Sequence, residues 1–169
     1  MSVNVNLSNL HVDKIPEASR VLAKCWRYAY NGLINDEYLT SLSDDHWVEF
    51  LKNIKDTTTA CILAENDNQI IGVAVFGDSI TERYLDDGEI ICLYVLPEFI
   101  GKNVGHLLFE YAENSLKEQG YQECTICTFK ANTKAIKFYE KHDYVVVSDD
   151  ETVEIGTQNV PYVILRKAL

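Results

Sequence analysis

Residues 89–108, EIICLYVLPEFIGKNVGHLL, change character at Pro97. The eight residues before it, from Glu89 to Leu96, are almost all apolar and rich in branched side chains, the pattern of a well-buried strand. Pro97 has no donor to give a ladder and ends the strand. From Val104 onward, apolar residues recur at Leu107, Leu108 and Tyr111 on one face of a helix that Gly120 stops. The intervening loop, 98–103, therefore joins a buried strand to a helix N-terminus. Such a junction presents several N–H groups without helical partners at the positive end of the helix dipole, which suits an anion. Gly101 and Gly105 let a ligand approach the backbone, and Asn103 tolerates a left-handed conformation better than other non-glycine residues. Lys102 adds one positive charge. Neither the P-loop pattern nor Gly-x-Gly-x-x-Gly is present, and an ordinary strand-to-helix turn has the same outline.

Outward from this stretch, the alternating run 121–129 reads as another strand. Strand, helix and strand with short loops make a right-handed crossover between parallel neighbours. Upstream, Val3, Val5 and Leu7 suggest a first strand within residues 3–10. Ile15, Ala18, Leu22, Cys25, Trp26 and Ala29 then recur at helical spacing, with Pro16 allowed in the first turn. A short helix fits residues 37–42. Ser43 is placed to cap a further helix, with Asp44 and Asp45 in its first turn and Trp47, Phe50, Leu51 and Ile54 as its apolar stripe. Residues 59–64 and 69–76 flank Glu-Asn-Asp-Asn and read as a β-hairpin. A last helix fits 133–142, followed by strands at 144–147 and 160–166, expected to be antiparallel. The fold class is α/β: one domain over residues 1–169, with a mixed sheet flanked by helices, antiparallel in its first half and containing one parallel crossover.

Composition narrows the partners. The 169 residues carry 15 Lys+Arg against 26 Asp+Glu, a formal net charge of −11. A nucleic-acid or anionic-membrane binder needs a basic face, and this balance argues against both. A bound polyanion would have to be gripped locally, by backbone N–H groups. The N-terminus, MSVNVNLSNL, lacks the basic and apolar regions of a signal peptide. No apolar run approaches the roughly 20 residues needed to span a bilayer. Five cysteines, an odd number set in apolar segments, read as reduced thiols of a cytoplasmic protein. Cys124 and Cys127 match Cys-x-x-Cys, but on a strand that spacing turns the thiols to opposite faces. His11, His46, His106 and His142 show no ligand spacing, so no metal is expected.

Residues 89–108 resemble the acyl-CoA-binding motif of the GNAT superfamily of N-acetyltransferases. Residues 132–144, NTKAIKFYEKHDY, resemble that superfamily's second motif, and the early segment CWRYAYNGLI with Tyr38 and Leu39 looks like one branch of bacterial GNAT enzymes. Three positions depart from the pattern. Ile100 stands where the family has Gln or Arg, Asn103 where it has Gly, and Asp143 where it favours Gly. The first removes a side-chain contact to phosphate, whereas Asn and Asp still reach positive φ.

The resemblance implies acetyl-CoA as co-substrate and a primary amine as acceptor, with direct attack of the amine on the thioester. It implies that Gly101, Lys102, Asn103, Val104, Gly105 and His106 bind the pyrophosphate, that the backbone of Leu93, Tyr94 and Val95 pairs with the pantetheine, and that Asn132 contributes to the cofactor site. Tyr139 would protonate the departing thiolate, chemistry open to a phenol of pKa about 10. Asn132 and Tyr139 are seven residues apart, which would set them on one helical face. A primary ammonium of pKa about 10 is neutral in roughly one molecule in a thousand at pH 7, so a base or water relay is needed. Glu89 aligns with a strand glutamate used as base in some members, and residues 89, 91, 93 and 95 would share one face. A solvent-exposed strand end beside Gly88 is the alternative for Glu89. A second base position of the family is held here by Cys127, a poor base. Asp86 and Asp87 would attract a cationic substrate or only solvate their loop. Trp26, Tyr30 and Tyr38 are candidate acceptor walls, each equally suited to core packing. The acidity favours a cationic amine such as a polyamine. Other readings are a protein N-terminus or lysine as acceptor, or a non-catalytic acyl-CoA-binding module. Exposed sheet edges leave room for a homodimer.

Overall fold

The computed structural model describes residues 3–54 and 57–169. The alternating and apolar runs close into one seven-stranded sheet. Its strands are β1 (Asn6–Asn9), β2 (Ala60–Asn66), β3 (Gln69–Asp78), β4 (Gly88–Val95), β5 (Glu123–Phe129), β6 (Val145–Ile155) and β7 (Gln158–Ala168). They lie in the order β1-β2-β3-β4-β5-β7-β6. Every neighbouring pair is antiparallel except β4 with β5, so the expected mixed sheet with one parallel crossover is what forms. The helices are α1 (Ile15–Ala29), α2 (Asp36–Ser41), α3 (Val48–Ile54), α4 (Val104–Glu118) and α5 (Thr133–Glu140). α1 and α4 both pack on β3 and β4. β3 is buried at every position from 70 to 77, so the sheet is covered on both faces. Each fully buried Ile, Val or Phe there contributes about 1.5–3 kcal/mol of apolar burial.

Local chemistry sets the turns. The β2–β3 hairpin closes on Asp67 and Asn68, both at positive φ (50° and 65°), the pair of conformations a two-residue hairpin loop of matching twist requires. The chain leaves α5 through Asp143 at φ 69°. There the Tyr144 N–H reaches the Tyr139 carbonyl (3.2 Å) and the Asp143 N–H that of Glu140 (3.1 Å), a Schellman arrangement built without glycine.

Four expectations shift. The first strand is confined to Asn6–Asn9. Ser43 caps nothing: its Oγ donates to Asp45 Oδ1 (2.6 Å), and α3 starts only at Val48. The cause is tertiary, because Arg27 of α1 takes Asp44 (2.9 Å) and Ser19 Oγ takes the Trp47 N–H (3.0 Å), fixing this segment as turns. α5 stops at Glu140, two residues short of the expected end. β6 runs eight residues past 147, through a polar stretch whose pairing with β7 comes from register and not from an apolar face.

The parallel contact between β4 and β5 is short. Only Gly88 with Cys124 and Glu89 with Thr125 are paired, while β4 stays on β3 to Val95 and β5 stays on β7 to Phe129. Beyond Glu89 the two strands diverge and the sheet opens as a V. The closed end is clasped by Asp87, whose carboxylate accepts from Thr125 Oγ1 (2.6 Å) and, in bidentate fashion, from Arg166 Nε (2.7 Å) and Nη2 (2.9 Å). Asp87 is thus a structural ion-pair partner, not a free attractant for substrate.

Candidate active site

At the mouth of the V lies a cavity of about 800 Å³, walled by α1, β4, β5, β6, β7 and the loop that precedes β4. Trp26 and Tyr30 line it, as expected from the sequence. Their rings meet edge to face at 4.8 Å, and both pack on Phe129. Tyr38 does not line it. It packs beneath the β6–β7 turn, where a Cβ on Gly156 would lie 3.0 Å from its ring. The charged groups of the wall are Glu82, Arg83, Glu89 and Glu151. The Arg83 guanidinium is paired with Glu151 (3.1 Å), so carboxylates dominate.

Glu89 is buried, 3% exposed, and not a solvated strand end. Its Oε2 accepts four hydrogen bonds: from Ser79 Oγ (2.7 Å), the Ile80 N–H (2.9 Å), the Thr81 N–H (3.1 Å) and Thr81 Oγ1 (3.1 Å). Oε1 takes none of them. The face-sharing expected along β4 fails for a local reason. Val75 pairs with Cys92 but Phe76 with Ile90, so Ile91 is an extra, bulged residue. The cavity-facing set accordingly steps from Glu89 and Ile91 to Tyr94, and Leu93 and Val95 do not line it.

Past the bulge, β4 has no partner on the β5 side, so the backbone of Leu93, Tyr94 and Val95 is an open strand edge among the described residues. It leads into the α4 N-terminus. Gly101 (φ 80°) and Asn103 (φ 68°) both take the left-handed turn that brings the chain into the helix. The first N–H with a helical acceptor is that of Leu107, on the Asn103 carbonyl (3.1 Å), leaving those of Val104, Gly105 and His106 directed outward from the first turn. Lys102 is the exception: its N–H is used by the Phe99 carbonyl (3.3 Å), and its Nζ lies 5.1 Å from the Phe99 ring centroid. A Cβ on Gly105 would meet Val95 Cγ2 at an ordinary 3.6 Å, so the space over this residue is not filled by the protein itself. His106 stacks on His142 (5.1 Å) and contacts Glu110 (3.1 Å). Burial and the neighbouring His106 push the His142 imidazole below its ordinary value.

Asn132 does not share a helical face with Tyr139. It stands outside α5 as its N-cap, Oδ1 accepting from the Ala135 N–H (3.2 Å). Tyr139 is buried against Phe109, Phe138 and Tyr144, and it does not line the cavity. Burial, reinforced by Tyr30 and Cys92, raises its phenol well above the usual range. Tyr30 and Tyr94, which do line the cavity, have their hydroxyls 2.8 Å apart. Burial raises both phenols, Tyr30 to about 12. Cys127 reaches the cavity wall while Cys124 is fully buried, so the two thiols do point apart. All five cysteines are free.

Sequence reasoning missed Ser79, Thr81, Glu82, Arg83 and Glu151. The first four sit in the polar stretch between β3 and β4, and Glu151 in the polar half of β6. Neither segment carries a periodic signal.

Residues 22–144 match the acetyltransferase (GNAT) family. A spermidine N(1)-acetyltransferase of Thermoplasma acidophilum is 21% identical over 154 residues, covering 88% of this chain and 92% of that one. Among solved structures, the PaiA N-acetyltransferase of Thermoplasma acidophilum in complex with coenzyme A superposes with a TM-score of 0.78 at 22% identity, covering 98% of this chain and 99% of that chain. YncA of Salmonella typhimurium with its cofactor acetyl-CoA gives 0.75 at 14% identity, covering 98% and 94%. With the family match spanning the open β4 edge, the α4 N-terminus and α5, this chain is an N-acetyltransferase and belongs to the acetyltransferase (GNAT) family.

Proposed function

We propose that the protein, acting as one domain over residues 1–169, transfers the acetyl group of acetyl-CoA to a primary amine of a small cationic molecule of the polyamine type. The observation that carries the acceptor class is the cavity wall, where Glu82, Glu89 and Glu151 face a single guanidinium that is already paired. A relative named for spermidine acetylation and structural neighbours that hold coenzyme A or acetyl-CoA support the same reading.

Acetyl-CoA supplies an activated acyl group and a thiolate leaving group. The diphosphate suits the outward N–H groups of Val104, Gly105 and His106, with Gly101 and Asn103 shaping the turn, because backbone dipoles hold an anion without a basic surface. The open edge of Leu93, Tyr94 and Val95 suits the pantetheine amides, which pair as an added strand would. Asn132, as the α5 cap, secures the helix that carries Tyr139. Trp26 and Tyr30 wall the acceptor. Glu89 Oε1 receives the ammonium proton, directly or through a water. The Tyr139 hydroxyl keeps its proton throughout the neutral range and gives it up only as negative charge gathers on the leaving sulfur.

The test is acetylation of an amine panel (polyamines, amino acids, peptides, aminoglycosides) with mass detection. Polyamines are expected to exceed neutral-bodied amines by about tenfold or more in kcat/KM, the discrimination one well-formed charged contact supplies. Equal rates across the panel would overturn the acceptor class, and release of no thiol with any amine would overturn the reaction.

A further inference from the structure

The loop before β4 wraps a carboxylate that has no formal counter-charge among its four donors. Two of those donors are backbone N–H groups, of Ile80 and Thr81, and two are the hydroxyls of Ser79 and Thr81. All four converge on Oε2 of Glu89. A carboxylate oxygen with that many partners is fixed in place, and so is the direction of the oxygen beside it. No buried side-chain polar atom lacks a partner among the described residues. Oε1, which takes none of these bonds, is therefore reachable from the cavity that Glu89 lines.

The Thr81 hydroxyl has a second contact, with Cys127 Sγ at 3.2 Å. Burial keeps the Cys127 thiol protonated, its pKa pushed up to about 11. The S–H is then the donor and Thr81 Oγ1 the acceptor, which commits the Thr81 proton to Glu89. Cys127, Thr81 and Glu89 form a directed chain across the open part of the V, from β5 through the loop to β4.

We infer that Thr81, with Ser79, is a positioning residue for acetyl transfer: it spends Oε2 on the loop and turns Oε1 to the acceptor amine, and Cys127 sets the direction of its hydroxyl. The inference rests on the reading of Glu89 as proton acceptor. It gives Cys127 a role suited to a thiol that is too weak a base to take the proton itself.

The experiment measures kcat, and KM for acetyl-CoA, with the acceptor turned over fastest in the panel. Thr81→Val is expected to lower kcat about tenfold while KM for acetyl-CoA stays within about twofold, and Thr81→Ser to restore most of the loss. Cys127→Ala is expected to cost about two- to threefold in kcat, with Cys127→Ser, which keeps a donor, close to native. Native kcat in Thr81→Val, or Thr81→Ser no better than Thr81→Val, overturns the inference. Glu89→Gln separates the two layers. If it keeps native kcat, the reading of Glu89 is what fails. If it loses about a hundredfold or more while Thr81→Val is native, only the positioning role fails. Should Thr81→Val not fold, as judged by its melting curve, Ser79→Ala with rescue by Ser79→Thr carries the same test.

Discussion

Burial keeps the Tyr139 phenol protonated far above neutrality, so the side chain offers a proton and never a base. Replacing it with Phe is expected to lower kcat by about a hundredfold with coenzyme A affinity nearly unchanged, since the ring packing survives and only the donor is lost. Turnover alongside calorimetry decides it, and native turnover would remove Tyr139 from the mechanism. The sign of the pH effect follows from the direction of the shift. A donor whose pKa is raised stays active as pH rises, so no falling limb due to this residue is expected below the ordinary phenol value of about 10. A decline of kcat between pH 8 and 10 that vanishes in Tyr139→Phe would contradict this. Residue identity foretold some of the site well. Asn103 and Asp143 stand at glycine positions, and both take the left-handed conformation their short polar side chains tolerate. It could not foretell the surroundings of Glu89, because four donors from a loop without regular structure leave no spacing in the sequence.

At the scale of elements, strand and helix types were legible from period, and their joints were not. One bulged residue, Ile91, moves the cavity face of β4 from the 93/95 phase to Tyr94, and no composition marks it. Ser43 had the chemistry of a cap and lost the part to contacts that Arg27 and Ser19 of α1 make with its neighbours Asp44 and Trp47. The start of α4 gives a prediction with two opposite signs. Gly105 lies in the first turn of the helix, and an added Cβ meets only Val95 at 3.6 Å. Gly105→Ala is therefore expected to stabilise the fold by about 0.5–1 kcal/mol, the ordinary helical gain over glycine. The same methyl group stands over the outward N–H groups, so coenzyme A affinity is expected to fall about tenfold, equivalent to roughly 1.4 kcal/mol. A melting curve and a titration on one sample test both; equal affinity would sink the assignment of this loop to the diphosphate.

Over the whole molecule the charge of −11 acts in opposite directions on a cationic acceptor and on an anionic cofactor. It attracts a cationic acceptor through solvent and repels an anionic cofactor. Salt screens both effects, with a Debye length of about 10 Å at 0.1 M. Raising ionic strength is thus expected to increase KM for a polyamine several-fold while leaving KM for acetyl-CoA unchanged or lower. A rise in both would mean the cofactor is held by surface charge and not by backbone dipoles. Sequence composition suggested this balance, but only the fold brings Glu151, far along the chain, to the same wall as Glu82 and Glu89. The clasp of Asp87 with Arg166 and Thr125 bears on this wall by leverage. Between Glu89 and Val95 the strand advances six residues, an arm of roughly 20 Å at 3.3 Å per residue. A rotation of about 3° at the clasp displaces the far tip by about 1 Å, enough misplacement to cost about a hundredfold in rate at a reacting centre. Asp87 is not among the residues that line the cavity at the mouth of the V, yet its clasp is the fulcrum from which the two strands diverge.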